Sequence, residues 1–339
     1  MSVEKTSRAR ANVPPAAGAP TTMKAAVIDR FGGPDVITLR TLPVPKVDAT
    51  EILIKIHAAG VGVWDADVRE GSWRPFGTIH FPLILGTDGA GVVVAKGARS
   101  RRFEIGDRVW ACDYANEKGG FYAEYVAVRD DHAGLVPTAL DLLEAGAGAT
   151  TGLTAQQGID IHLKVKASDT ALIFGGTGAV GTLAIQLAKR RGAYVIATAS
   201  GRDGTEMVRR LGVDEIIDAR ASDAPQRLRQ LAPGGISAVL ALAGGETLNR
   251  LLGMVGPNGR VAYPNGVEPE PKRRRDYRLI AYDAEIGPRQ FTQLKHAAEE
   301  AQLEVPIAAV FSLEQAAKAH LRLKEGHLLG RIALRIETD

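Results

Sequence analysis

Gly176, Gly178 and Gly181 stand at G-x-G-x-x-G spacing. An apolar run at 171–174 precedes them, and the pattern of Leu183, Ile185, Leu187 and Ala188 after them reads as a helix. A second apolar run follows at 194–199. Strand, glycine turn, helix and strand in that order suit a dinucleotide pyrophosphate. Gly176 is expected to allow the tight turn, Gly178 to let backbone approach the phosphates, and Gly181 to let helix and strand pack closely. The first helical turn, with Ala179 and Val180, would present unpaired N–H groups and a positive dipole end to the anion. With 38 glycines in the chain, the flanking elements carry this reading more than the glycines do.

The end of the second run points to the nucleotide. A site for NAD usually has Asp or Glu about 20 residues beyond the first glycine, bonded to the ribose hydroxyls. Here the chain reads Thr198, Ala199, Ser200, Gly201, Arg202, with no carboxylate before Asp203. Ser200 and Arg202 could instead hold a 2′-phosphate, Arg202 through a charge-assisted fork, so NADP(H) is the expected cofactor. The plainer alternative is a solvated Arg202 and a Ser200 that only starts the next turn.

Outside this unit, 60-GVGVWDADVREGSW-73 gathers the other chemical candidates. Asp65 and Asp67, the candidate catalytic carboxylates, are two residues apart, so on a helix they point to different faces and form no acid/base pair. Each could orient a substrate or cap the short helix that follows. Trp64 and Trp73 could line an apolar slot or pack in a small core. Cys112 has no second Cys, and His57 has no Cys or nearby acidic partner in sequence. No three-ligand metal set can be assembled. The chain is expected to use no metal.

The elements that must position these residues fall into two grammars. Short alternating or β-branched runs at 23–29, 36–42, 51–59, 86–97, 102–110 and 119–128 suggest a compact β-rich part. From about 141 helices and short strands alternate, with strands expected at 171–174, 194–199, 213–218, 238–242, 259–263 and 279–282, as in a doubly wound parallel sheet. After Pro288, helices at 290–302 and 313–325 and strands at 307–311 and 329–336 return to the first grammar. The segment 268-EPEPKRRRDYR-278 is expected to be a solvated loop, with attraction of an anionic cofactor as the rival.

Length and composition agree with that layout. The chain of 339 residues can hold two domains. Its hydrophobic content of 45% and charged content of 24% are ordinary for a globular protein. No apolar stretch approaches the roughly 18 residues that a membrane-crossing helix needs. The formal charge of +3 gives no argument for nucleic acid. Residues 1–22 lack the apolar core of a secretory signal and are expected to be a disordered leader, a cleaved targeting peptide being the rival. One cysteine fits a reducing compartment, and a cytoplasmic location is expected.

Taken together, 60-GVGVWDADVREG-71, 86-GTDGAGVV-93, 119-GGFYAEYVAV-128, 152-GLTA-155, 175-GGTGAVG-181 and 326-GHLLGRIALRI-336 resemble the medium-chain dehydrogenase/reductase superfamily. Within it the chain resembles the zinc-independent, zeta-crystallin-like quinone oxidoreductases. The resemblance implies an α/β fold in which a GroES-like β-rich catalytic domain, 23–142 with 287–339, carries an inserted Rossmann domain at 143–286. It implies a homodimer, a cleft between the domains, and Thr154 near the nicotinamide. Arg331 stands where a lysine is common before the final strand, and Ala243 in 239-VLALAGG-245 is a further cofactor candidate. Zinc-using relatives carry Cys near Gly62 or Val63 and Gly-His-Glu at 86–88, both missing here. The family's GVN-x-x-D-x-Y keeps its aspartate as Asp65, but Gly62 replaces the asparagine, Asp67 the tyrosine, and Ala241 a usual Asp.

The expected reaction is therefore hydride transfer from NADPH to a quinone or another conjugated carbonyl. The alternatives are an NADP-dependent alcohol or sugar dehydrogenase with Asp67 as base, an alkenal or enone reductase, and a non-catalytic NADPH-binding structural or RNA-binding protein.

Overall fold

A computed structural model describes residues 20–74 and 79–336. The leader expected at 1–22 lies outside the described residues except for its last three. Thr22 already belongs to a strand.

In chain order the first part contains β1 (Thr22–Ile28), β2 (Thr38–Pro43), β3 (Glu51–Val61), α1 (Val63–Glu70), β4 (Leu83–Ile84), β5 (Asp88–Lys96), β6 (Arg108–Cys112), β7 (Tyr125–Arg129) and β8 (Ala133–Leu135). The middle contains α2 (Leu142–Gln156), β9 (Thr170–Phe174), α3 (Ala179–Arg190), β10 (Tyr194–Thr198) and α4 (Gly201–Arg210). It continues with β11 (Glu215–Ile217), α5 (Ala224–Leu231), β12 (Ile236–Ala241), α6 (Glu246–Leu252), β13 (Val255–Pro264) and β14 (Tyr277–Tyr282). The last part contains α7 (Pro288–Ala301), β15 (Ile307–Ser312), α8 (Ala316–Glu325) and β16 (Arg331–Arg335).

Both ends of the chain build one sheet. Its order is β15-β16-β3-β5-β6-β8, with β7 also paired to β3, while β2-β1-β4 form a smaller sheet beside it. The alternation of Ile52, Ile54 and Ile56 predicts a strand buried on one face, but β3 is buried on both. One face joins the apolar core with Ala26, Val93 and Val126. Against the other lies α2, whose Gly146 comes so near that a Cβ there would sit 2.5 Å from the Ala58 carbonyl oxygen. A side chain at 146 would lift the helix off the sheet.

The strand expected over 119–128 forms only from Tyr125. Gly119, at φ +112°, and Gly120, whose Cβ position is 2.2 Å from the Gly86 carbonyl oxygen, make a close backbone crossing instead. The helical signals at 141–159 merge into α2. Asp141 caps it by accepting from the Glu144 N–H at 2.7 Å. Glu144 returns the bond, accepting from the Asp141 N–H at 3.1 Å, which completes a capping box.

The second large sheet has the order β11-β10-β9-β12-β13-β14, all parallel. The strand sequence reverses direction between β9 and β12, and ligands of open parallel sheets bind at such a switch point, beyond the carboxyl ends of the strands. The basic run lies on the connection from β13 to β14, where Lys272 pairs with Glu246 and Arg274 with Asp276. Among the described residues no helix is long and apolar enough to cross a membrane.

Candidate functional site

The glycine turn follows β9 at the switch point. The left-handed residue is Gly175, at φ +93°, one position before the glycine expected to make the tight turn. Gly176 is required for a different reason: a Cβ there would lie 2.9 Å from the Cβ of Ala197 on β10. The Gly176 N–H donates to the Thr198 carbonyl at 3.1 Å, and the Gly175 N–H to the Thr198 hydroxyl at 2.8 Å. Gly181 packs as expected, with its Cβ position only 2.1 Å from the Gly175 carbonyl oxygen.

Gly178 is different. It is the N-cap of α3, and a Cβ there would meet nothing nearer than the Gly175 carbonyl oxygen, at 3.6 Å. Ala179 and Val180, half-buried, begin the helix beside that open face. Open backbone at the N-terminus of this long helix, Ala179–Arg190, fits a pyrophosphate. Ala243, exposed, leaves β12 next to this turn, and the preceding Leu242 N–H bonds the Phe174 carbonyl at 3.0 Å.

At the end of β10 a cavity of about 450 Å³ opens. Ser200, Arg202, Thr205, Arg209, Asp218 and Arg227 contribute to its wall. Ser200 is the N-cap of α4 but its side chain makes no cap bond, which leaves the hydroxyl for another acceptor or donor. Arg202 is largely exposed and pairs with Glu206 at 2.8 Å, an exposed pair of little energetic weight. The sequence reading missed Arg209 and Arg227. Arg209 was legible as the residue two helical turns after Arg202, whereas Arg227 arrives from α5, far along the chain.

The second group of expected site residues lies on the other large sheet. Asp88, at the start of β5, accepts from Arg331 Nη2 at 2.9 Å through Oδ1 and from the Thr150 N–H at 3.0 Å through Oδ2. Both members of the Asp88–Arg331 pair are buried. The Arg331 guanidinium also lies over the Trp64 ring, 4.7 Å from its centroid. Arg331 was expected to bind the cofactor; its Nη2 pairs with Asp88 and its guanidinium stacks on Trp64, while Nε and Nη1 have no hydrogen-bond partner among the described residues. Its neighbour Gly330 is what reaches the phosphate turn, donating to the Thr177 carbonyl at 2.9 Å.

Asp65 is 1% exposed and completes this group. Its Oδ2 accepts from the Gly62 N–H at 2.7 Å, so it caps α1, while Oδ1, buried beside the Thr87 and Tyr122 hydroxyls, has no partner of good hydrogen-bond geometry among the described residues. Burial pushes its carboxyl up to about 7, with the negative charge of Asp88 adding and Arg331 opposing, because a dry site disfavours the charged form. Burial likewise raises Asp88, against the pull of Arg331. Trp64 donates to the Thr87 hydroxyl, and Gly62 makes room for it, since a Cβ at 62 would strike the indole at 2.6 Å. That packing accounts for the glycine at 62. Arg69 anchors the same helix from beneath, donating to the Gly32 carbonyl at 2.9 Å and to His320 Nδ1 at 2.7 Å.

Asp67 points elsewhere, as the two-residue spacing requires. Its carbonyl accepts from the Ser72 N–H at 3.0 Å, and partial burial beside Glu70 raises its carboxyl. It is absent from the small cavity that Asp65 lines with Thr87, Tyr114 and Asn116. Thr154, in α2, is nearly buried; its hydroxyl donates to the Thr150 carbonyl at 2.9 Å and its carbonyl accepts from the Tyr282 hydroxyl. Cys112 is buried beside Thr150, whose hydroxyl donates to Sγ at 3.2 Å, and burial pushes the thiol up. Asp88 and Tyr114 were not singled out from the sequence. A carboxylate opening a β-branched run was a visible oddity at Asp88, but its partner lies 243 residues away.

The described residues include no group of three or more His, Cys, Asp or Glu side chains that could hold a metal ion.

Comparison with known proteins returned two family matches. Residues 48–138 match the alcohol dehydrogenase GroES-like domain, and residues 179–275 match the zinc-binding dehydrogenase family. Human quinone oxidoreductase is 27% identical over 320 residues, covering 90% of this chain and 94% of that one. The structure of the quinone oxidoreductase from Coxiella burnetii superposes with a TM-score of 0.79 at 29% identity, covering 93% of this chain and all of that one. A mycobacterial protein complexed with NADPH superposes with a TM-score of 0.79 at 26% identity, covering 92% and 99%.

Proposed function

Because the chain belongs to the medium-chain dehydrogenase/reductase superfamily, in its quinone oxidoreductase family, we propose that it is an NADPH-dependent oxidoreductase that reduces a quinone or another conjugated carbonyl without zinc. The observation that carries the reading is the glycine turn of 175–181, open above Gly178 at the head of α3, with a three-arginine cavity at the end of β10. We place the catalytic domain at 23–142 with 287–339 and the nucleotide domain at 143–286.

A nicotinamide dinucleotide, when bound, supplies the hydride. The chain's own residues do the rest. Ala179 and Val180, at the head of α3, hold the pyrophosphate with backbone N–H groups and the helix dipole, while Gly178 leaves room for its oxygens. Ser200, Arg202, Arg209 and Arg227 receive the 2′-phosphate, an arrangement that favours NADPH over NADH because three guanidiniums outnumber the Glu206 and Asp218 carboxylates of the same wall. Thr154 and Ala243 border the nicotinamide end, and Asp65 with its buried neighbours borders the substrate end. The alcohol-dehydrogenase alternative asks Asp67 for a base, and its carboxyl lies away from the cavity beside Asp65.

NADPH oxidation should be followed against quinones, enones and simple aldehydes, with NADH in parallel. Turnover that prefers NADPH and survives a strong chelator supports the proposal. Tight NADPH binding with no acceptor reduced would sink it in favour of a non-catalytic role. Arg202→Ala is expected to weaken NADPH about tenfold, the worth of one charged phosphate contact, and to leave NADH unchanged within about twofold. Equal losses for both nucleotides in a binding titration would remove Arg202 from the phosphate site.

A further inference from the structure

Asp65, Asp88 and Arg331 form an unbalanced set. All three are buried, at 1%, 0% and 3% exposure, and two carboxylates share one guanidinium. Arg331 bonds Asp88 directly through Nη2, which leaves Asp65 as the carboxyl without a cation of its own. A buried pair of acids beside a single cation retains one proton, since a second uncompensated charge cannot be kept in so dry a place.

Asp65 holds that proton at a useful address. One oxygen is fixed by the Gly62 N–H, while Oδ1 is buried beside the Thr87 and Tyr122 hydroxyls with no partner of good hydrogen-bond geometry among the described residues. Asp65 lines a cavity of about 10 Å³ together with Thr87, Asp113, Tyr114 and Asn116, which is room for about one water. The charged and titratable groups around it are Asp88 on β5, Arg331 on β16, and Tyr122, Asp113 and Tyr114 on the crossing segments. Burial keeps both tyrosine hydroxyls protonated and neutral, so neither adds a further negative charge beside Asp65.

We propose that Asp65, through one water in this cavity, is the proton source of the site, and that the site is built for α,β-unsaturated carbonyls rather than quinones. The inference rests on the oxidoreductase reading above and narrows its substrate. Reduction of an enone needs one hydride and one proton. The hydride adds at the β-carbon, the carbon–carbon π pair moves toward the carbonyl, and the resulting enolate takes a proton from the water. The water recovers that proton from Asp65, which is left as a carboxylate and reprotonates from solvent before the next turnover. A reduced quinone is already a stabilised oxyanion and needs no such acid in the site.

The test pairs infrared spectroscopy of the cofactor-free protein with turnover. At pH 6 the wild type minus Asp65→Asn difference spectrum is expected to show a protonated carboxyl band, fading as the pH rises through about 7. With NADPH, the ratio of enone to quinone kcat is expected to fall about 100-fold in Asp65→Asn, the usual range for loss of an acid, with the enone KM unchanged. In the wild type the same ratio should decline above pH 7. Asparagine keeps the volume and the acceptor for the Gly62 N–H; if it fails to fold, the wild-type pH titration still decides. No protonated carboxyl band at pH 6, or an enone-to-quinone ratio that ignores both pH and the substitution, overturns the proton source. A wild type that binds NADPH but reduces none of the acceptors, while the band is present, overturns the oxidoreductase reading and leaves Asp65 as a structural acid.

Discussion

Arg331→Met should destabilise the protein by about 3–5 kcal/mol, the usual cost of breaking a buried ion pair from one side. Asp88 would keep the Thr150 N–H at 3.0 Å but lose its cation, and Asp65 would lose the nearby charge that restrains its own proton affinity. Urea denaturation would show the loss as a lower midpoint with an unchanged slope. Pairing the change with Asp88→Leu is expected to recover most of the stability, because a pair of well-packed apolar groups has no desolvation cost to offset. The guanidinium also stacks on Trp64, 4.7 Å from the ring centroid. A double variant no better than the single one would mean that this stacking matters more than the ion pair.

The second large effect concerns two glycines of one motif with opposite consequences. Gly181→Ala puts a Cβ 2.1 Å from the Gly175 carbonyl oxygen. Neither group is the end of a flexible side chain, so α3 must move off β9. The expected cost is about 1–3 kcal/mol of stability, with NADPH affinity lost by more than tenfold as the helix end shifts. Gly178→Ala has open space, its nearest neighbour lying at 3.6 Å. It should leave the thermal midpoint unchanged and still weaken NADPH, because the methyl group stands where phosphate oxygens approach. Melting curves beside nucleotide titrations separate the two. Unaltered NADPH binding in Gly178→Ala would move the pyrophosphate off this turn.

The oxidoreductase family and the fold, a GroES-like β-rich part with a Rossmann sheet, were legible because their signals are local. A strand, a glycine turn and a helix announce themselves within about 30 residues, and the parallel order of the sheet follows from alternating strands and helices. Gly181 could be read for the same reason, since it answers to backbone a few residues away. The positive φ at Gly175 could not, because a run of adjacent glycines permits the turn at more than one of them.

The substrate side was less legible. Asp65 could be read as a cap or a functional group, and the structure makes it both buried and incompletely bonded. Arg331 was recognised by its place before the final strand, yet nothing near it in sequence names Asp88 as its partner. Arg227 belongs to a helix that meets α4 only when β10 and β11 pair. Local chemistry therefore determined which elements form and where the glycine turn between β9 and α3 lies. Only tertiary structure decided which charges are buried together, because burial and pairing depend on segments far apart in the chain. Asp88 and Arg331 are separated by 243 residues, and one sheet, built from both ends, brings them to 2.9 Å.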